Sequence, residues 1–214
     1  MKLSTTELNE LLELAMTAAR RAARHIQAEA GKHRDVRHKA GGSSLASQVV
    51  TEVDLESQRL ILETLEESIA THALGLLTEE RQDDASRHAC DYFWCIDPLD
   101  GTLPFIEHVP GYSVSIALVS KTGCPVMGVI GDPVTATLYH AIHKGGAFRD
   151  GERFPIGSRS EDGALTLVVD RSFAKHAMHD ALLAQLEMIA KEHGLDGLKI
   201  INQGGAAMNA CWVL

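Results

Sequence analysis

Apolar residues recur at helical spacing near the N-terminus: Leu8, Leu11, Leu12, Ala15, Ala19, Ala22 and Ile26 fall on one face of a 3.6-residue period. Ser4 and Glu7 stand as a capping box and Gly31 as a stop, so this pattern predicts one long amphipathic helix over Ser4–Ala30. The arginines around it (Arg20, Arg21, Arg24) read as a solvated helix side. A second helical period runs through Leu55, Ile61, Leu62, Leu65 and Ile69, with Asp54 placed to cap it. Between the two, Lys32–Gln48 is basic, then rich in Gly and Ser, and has no period, which predicts a mobile loop.

Beyond Leu74 the pattern changes to short apolar runs, over Leu74–Thr78, Tyr92–Ile96, Tyr112–Ser120, Val126–Ile130 and Thr137–Ile142. Lys121-Thr122-Gly123, Gly131-Asp132-Pro133 and Lys144-Gly145-Gly146 mark turns between them. Five strands following two helices predict a largely antiparallel sheet with helices on a face. After Gly151 the order becomes strand (Leu165–Val169), helix (Lys175–Glu192), strand (Leu198–Ile201) and the start of a helix (Ala206–Leu214). That alternation is α/β, and it sets a domain boundary near residue 155: an α+β domain over 1–155 and an α/β domain over 156–214.

Charge narrows the partners. With 29 acidic residues against 20 basic and a net charge of -9, a broad footprint for a nucleic acid polymer or an anionic membrane is not expected. No apolar stretch reaches the roughly 18 residues of a membrane span, and the early apolar run is broken by Glu7, Glu10 and Glu13, so no secretory signal is expected and the chain is placed in the cytoplasm. Four cysteines without a Cys-x-x-Cys pair read as free thiols.

The candidate chemistry lies in Trp94-Cys95-Ile96-Asp97-Pro98-Leu99-Asp100-Gly101-Thr102. An apolar strand runs into two carboxylates three residues apart, and Pro98 between them is expected to end the strand in a turn. Such a turn can aim Asp97, Asp100 and the Leu99 carbonyl at one point, an all-oxygen set of the kind Mg²⁺ prefers. Glu79 and Glu80 end another strand, and Asp54 follows Val49-Val50-Thr51. If these ends are neighbours, each close pair of carboxylates repels by about 4 kcal/mol at ~4 Å and an effective dielectric of about 20, and cations would relieve it. Gly101 and Thr102 can then offer backbone N–H groups to a phosphate, and the Thr102 hydroxyl can orient a water. Eleven histidines include the close pairs His140/His143 and His176/His179, but no His-Glu-x-x-His accompanies them, so zinc is not expected. Neither a Gly-x-Ser-x-Gly elbow nor a three-glycine dinucleotide fingerprint is present.

Asp97-Pro98-Leu99-Asp100-Gly101-Thr102 resembles the signature of the inositol monophosphatase family of magnesium-dependent, lithium-sensitive phosphomonoesterases, which includes the 3'(2'),5'-bisphosphate nucleotidases. Val50-Thr51-Glu52-Val53-Asp54, Thr78-Glu79-Glu80, the Gly128–Gly146 region and Gly204-Gly205-Ala206-Ala207-Met208-Asn209 resemble family segments in the same order. The resemblance implies a layered sugar-phosphatase fold, α+β with alternating α-β-α-β-α layers. It further implies Mg²⁺ held by Glu79, Asp97, the Leu99 carbonyl and Asp100, with Asp54, Thr102 and Glu79 acting on the attacking water. By the same resemblance Gly101 and Thr102 hold phosphate, Gly204, Gly205 and Ala206 line the alcohol side of the substrate, and Lys39 belongs to a mobile loop near the metals. The expected activity is hydrolysis of an inositol monophosphate or related sugar phosphate, or alternatively of a nucleoside 3',5'-bisphosphate, by a homodimer. A non-catalytic ligand-binding relative is the third possibility.

Two features depart from the family pattern. Leu103-Pro104-Phe105 stands where relatives carry Thr-Asn-Phe or Lys-Glu-Phe, which leaves the substrate class open. Relatives also continue to a Trp-Asp pair whose aspartate ligates metal, whereas this sequence stops at Leu214. The expectation is therefore a truncated C-terminal part, with Ala206, Ala207, Ala210, Cys211 and Val213 as an uncovered apolar helix side.

Overall fold

A computed structural model describes residues 3–30, 52–153 and 163–213. The expected loop over 32–48 with Lys39, and the boundary near residue 155, lie outside the described residues.

Helix α1 (Thr5–Glu29) opens with the expected capping box: the Ser4 hydroxyl accepts from the Glu7 N–H at 3.3 Å, and Glu7 Oε2 accepts from the Ser4 N–H at 2.7 Å. Its apolar face is wider than the predicted stripe, because Met16, Ala18 and Ala23 are buried with Leu11, Leu12, Ala15, Ala19, Ala22 and Ile26. Helix α2 (Glu52–Thr71) packs against α1. Asp54 lies inside the first turn of α2, two residues past its start, where the sequence pattern had placed it as the cap. Arg21 is not merely solvated, since its guanidinium donates to Thr64 Oγ1 at 2.6 Å and Glu63 Oε2 at 2.9 Å and so ties α1 to α2.

The helix pair covers a seven-stranded sheet of order β1 (Gly75–Thr78), β2 (Tyr92–Asp100), β3 (Ser113–Ser120), β4 (Pro125–Gly131), β5 (Leu138–Ile142), β6 (Gly146–Arg149) and β7 (Glu152–Arg153). The sheet is antiparallel except for β1 and β2, which run parallel. β6 and β7 were not visible in the sequence pattern, being short and half-exposed at the sheet edge. Along β2 and β3, Trp94, Ile96, Val114, Ile116 and Leu118 alternate inward against Leu11, Ile26, Ile61 and Leu65. The Trp94 indole N–H, fully buried, donates to Ser68 Oγ at 3.2 Å, so the largest core side chain carries no unpaired donor.

The second sheet is a parallel pair, β8 (Leu165–Val168) and β9 (Leu198–Ile201). The segment joining them forms a 3₁₀ turn over Arg171–Lys175 and then α5 (His179–Glu192), so the helix expected from Lys175 starts four residues later. Short helices α3 (Ser86–Ala89) and α4 (Thr102–Ile106) flank β2, and α6 (Ala206–Trp212) packs on both β3 and β8. The layers thus alternate α-β-α-β-α: the α1/α2 pair, the large sheet, α6, the small sheet and α5. The buried side of α6 is Met208 and Cys211; Ala206, Ala210 and Val213 are exposed, as expected of the uncovered apolar side, whereas Cys211, read as part of that side, is buried. Among the described residues no helix is long and apolar enough to cross a membrane.

Candidate metal centre

β1 and β2 point the same way, with Thr78 opposite Ile96, so both strands deliver their next residues to one sheet edge. The Glu79 N–H donates to the Ile96 carbonyl at 3.2 Å, which sets Glu79 beside Asp97. β2 does not stop at Ile96 as expected. It continues through Pro98 to Asp100, with Asp97 opposite Ser115 and Asp100 opposite Ser113, so three steps on β2 match two on β3. This is a bulge, and Pro98 is the reason, since it has no N–H to give the ladder. The bulge has a direct chemical effect: residues three apart in a regular strand face opposite ways, and the extra residue returns Asp100 to the side of Asp97. Asp97 Oδ1 accepts from the Leu99 N–H at 3.1 Å and steadies the bulge.

Burial, then the charges of Glu79 and Asp100, push the Asp97 carboxyl up to about 8. Asp100 is also raised by burial, against the pull of its donors. Two of those donors come from α6, more than one hundred residues away, the Ala206 N–H at 3.1 Å to Oδ1 and the Ala207 N–H at 2.8 Å to Oδ2; a third is the Ser113 hydroxyl of β3, at 3.4 Å to Oδ2. A carboxylate just before an N-terminal turn is favourable there both as acceptor and as charge.

Gly101 (φ 86°) follows in the left-handed region and caps α4, which begins at Thr102. The Thr102 hydroxyl donates to the Leu99 carbonyl at 3.3 Å. Glycines then meet from three segments. The Gly205 N–H donates to the Gly111 carbonyl at 2.7 Å, and a Cβ on Gly205 would stand 2.5 Å from Asp100 Oδ2. Gly111 (φ 122°) touches Gly204, where a Cβ would meet the Gly204 Cα at 2.6 Å.

The structure brings Glu79, Asp97, Leu99, Asp100, Gly101 and Thr102 into one region with Gly204, Gly205 and Ala206, but Asp100 bonds to the N–H groups of Ala206 and Ala207, so the three carboxylates expected to share a cation do not converge. Asp54 is 2% exposed on α2, which packs against β2, the strand carrying Asp97. Gly111, Ser113 and Trp212 carry no assigned role in the sequence reading, and Asn209 enters it only as the end of a family-like segment; Gly111, in a Pro-Gly pair, had a local signal.

The donor set suits a hard cation: two crowded carboxylates, Glu79 and Asp97, and the Leu99 carbonyl, all oxygen. The raised Asp97 marks uncompensated negative charge that a cation would neutralise. Among the described residues no three acidic, His or Cys side chains close on one point, because Asp100 is turned onto α6.

Comparison with known proteins agrees with this geometry. The sequence matches the inositol monophosphatase family over residues 7–214. It is 29% identical over 206 residues to the Nus factor SuhB of Haemophilus influenzae, covering 96% of this chain and 73% of that protein. Against the inositol-1-monophosphatase of Caulobacter vibrioides identity is 28% over 200 residues, covering 92% and 73%. Among solved structures, the Thermotoga maritima IMPase superposes with a TM-score of 0.72 at 25% identity, covering 95% of this chain and 72% of that one. CysQ from Bacteroides thetaiotaomicron gives 0.67 at 26% identity, covering 94% and 74%. A shared sequence profile over nearly the whole chain and a shared layered fold make this protein a member of the inositol monophosphatase family.

Proposed function

We propose that the chain is a Mg²⁺-dependent phosphoric monoester hydrolase acting on an inositol monophosphate or a related sugar phosphate. The observation that carries this is the Glu79–Asp97 pair at the bulge, where two carboxylates share one sheet edge beside the Leu99 carbonyl and the glycine-led start of α4. Glu79, Asp97 and the Leu99 carbonyl would hold Mg²⁺, with Asp100 joining through oxygen lone pairs that α6 leaves free. When bound, Mg²⁺ lowers the pKa of a water and neutralises phosphoryl charge.

The chain supplies the rest. The Thr102 hydroxyl, already on the Leu99 carbonyl, orients the attacking water, and Asp54 from α2 accepts its proton. The backbone N–H groups of Gly101 and Thr102, at the start of α4, would hold the phosphate oxygens. Gly204, Gly205 and Ala206 form the opposite wall, where the absence of side chains at 204 and 205 lets the alcohol approach the backbone.

The test is phosphate release at millimolar Mg²⁺ from inositol monophosphate, a sugar phosphate and a nucleoside 3',5'-bisphosphate, with Asp97→Asn and Glu79→Gln beside the unchanged chain. Release from the sugar alcohol that both variants abolish is the expected result, with Li⁺ inhibiting where Na⁺ does not. Release only from the bisphosphate would move the substrate to nucleotides, a reading that the Leu103-Pro104 departure leaves open. Binding without turnover would identify a non-catalytic relative.

A further inference from the structure

We infer that Asn209 is a positioning residue of the metal centre, which fixes Asp100 through the glycine loop of residues 204–207; this rests on the cation reading proposed above. Asn209 is the fourth residue of α6. Its carboxamide Nδ2 donates to the Gly204 carbonyl at 3.1 Å and reaches the Val169 carbonyl, just past β8, at 3.5 Å. One side chain thus ties the glycine loop to the small sheet.

The other half of the carboxamide shows how strongly this position demands an N–H donor. Among the described residues Asn209 Oδ1 is buried without a hydrogen-bond partner, a cost an apolar residue in the same place would avoid. The arrangement is tight as well, because a Cβ on Gly204 would sit 2.5 Å from that oxygen and 2.9 Å from the Trp212 ring. With Gly204 held on one side, Gly205 is held on the other by its N–H to the Gly111 carbonyl at 2.7 Å. The next two N–H groups, of Ala206 and Ala207, are then the ones that grip Asp100. Two oxygens gripped by fixed donors leave the Asp100 carboxylate one orientation toward the cation side. Partners of this kind, one step removed from the ligands, orient the ligands and tune affinity.

The experiment compares the unchanged chain with Asn209→Ala and Asn209→Asp, which keeps the size and removes the donor, and with Met208→Ala, which loosens buried packing of α6 while keeping every backbone N–H that faces Asp100. Amide hydrogen exchange at Ala206 and Ala207 is read without metal, and Mn²⁺ affinity by calorimetry. Both Asn209 variants should speed exchange at these two amides and weaken Mn²⁺ binding about tenfold or more. Met208→Ala should lower the melting temperature while changing Mn²⁺ affinity by less than about threefold. Equal loss of affinity in Met208→Ala, or unchanged affinity in the Asn209 variants, overturns the positioning role. If the unchanged chain binds no Mn²⁺, the cation reading fails and this proposal with it, while exchange at Ala206 and Ala207 still shows whether Asn209 holds the loop. Should the variants not fold, the Asn209 carboxamide resonance of the unchanged chain decides: it should exchange slowly and shift in a Mg²⁺ titration, and a resonance that stays unmoved refutes the inference.

Discussion

In the cation-free protein, Asp97 is a pH-dependent destabilising group, and replacing it with Asn should stabilise the fold. The folded carboxyl titrates at about 8, against an ordinary value of 3.8, because it is buried beside Glu79 and Asp100. A carboxyl raised in this way is protonated in both states below about pH 4, so its stability contribution is intact there. As pH rises the unfolded chain ionises first, and stability falls by about 1.4 kcal/mol per pH unit until the folded group ionises too, near pH 8. By pH 7 the loss from this one group is about 4 kcal/mol, a large fraction of the 5–15 kcal/mol that holds a typical domain together. The carboxamide introduced by Asp97→Asn keeps an oxygen for the Leu99 N–H and never ionises. In chelator, urea unfolding of Asp97→Asn should therefore show midpoints that fall less from pH 5 to 8 than those of the unchanged chain, the raised Asp100 still contributing a decline, and the variant should be the more stable at pH 8. Adding Mg²⁺ should restore the unchanged chain alone and release protons as it does so. Parallel pH profiles for the two proteins in chelator would refute the picture of crowded, uncompensated carboxylates.

Other perturbations separate the remaining parts of the site. Gly205→Ala places a methyl 2.5 Å from Asp100 Oδ2 and should cost about 1–3 kcal/mol of stability in thermal unfolding, with most Mg²⁺-stimulated phosphate release lost. Thr102→Ala should lower kcat on the order of a hundredfold while KM changes little, since backbone N–H groups hold the phosphate; steady-state kinetics in which only KM moves would reject the water-orienting role. Arg171→Ala removes an ion pair of 2.6 Å to Glu107 whose side chains are 37% and 40% exposed, so denaturation should show a loss of about 1 kcal/mol or less that disappears at high salt.

Local physics made much of the molecule legible in the sequence. The capping box of α1, the apolar periods of both long helices and the alternation along β3 and β4 each bury one face whatever the neighbours are, so pattern alone located them. The acidic motif was legible for the same reason: Pro98 between two aspartates and a glycine after them restrict the backbone within a few residues. Tertiary structure decided how those restrictions resolve. Whether a proline ends a strand or bulges it depends on the neighbouring strand, and pairing with Ser115 and Ser113 on β3 carries β2 on to Asp100. The partner of Asp97 was fixed by a parallel pairing of β1 with β2, and that of Asp100 by the docking of α6, both long-range contacts with no trace in local spacing. The buried side of α6 followed suit, because a seven-residue helix presents too few positions for a period and its inward face, Met208 and Cys211, is set by the sheets it lies between.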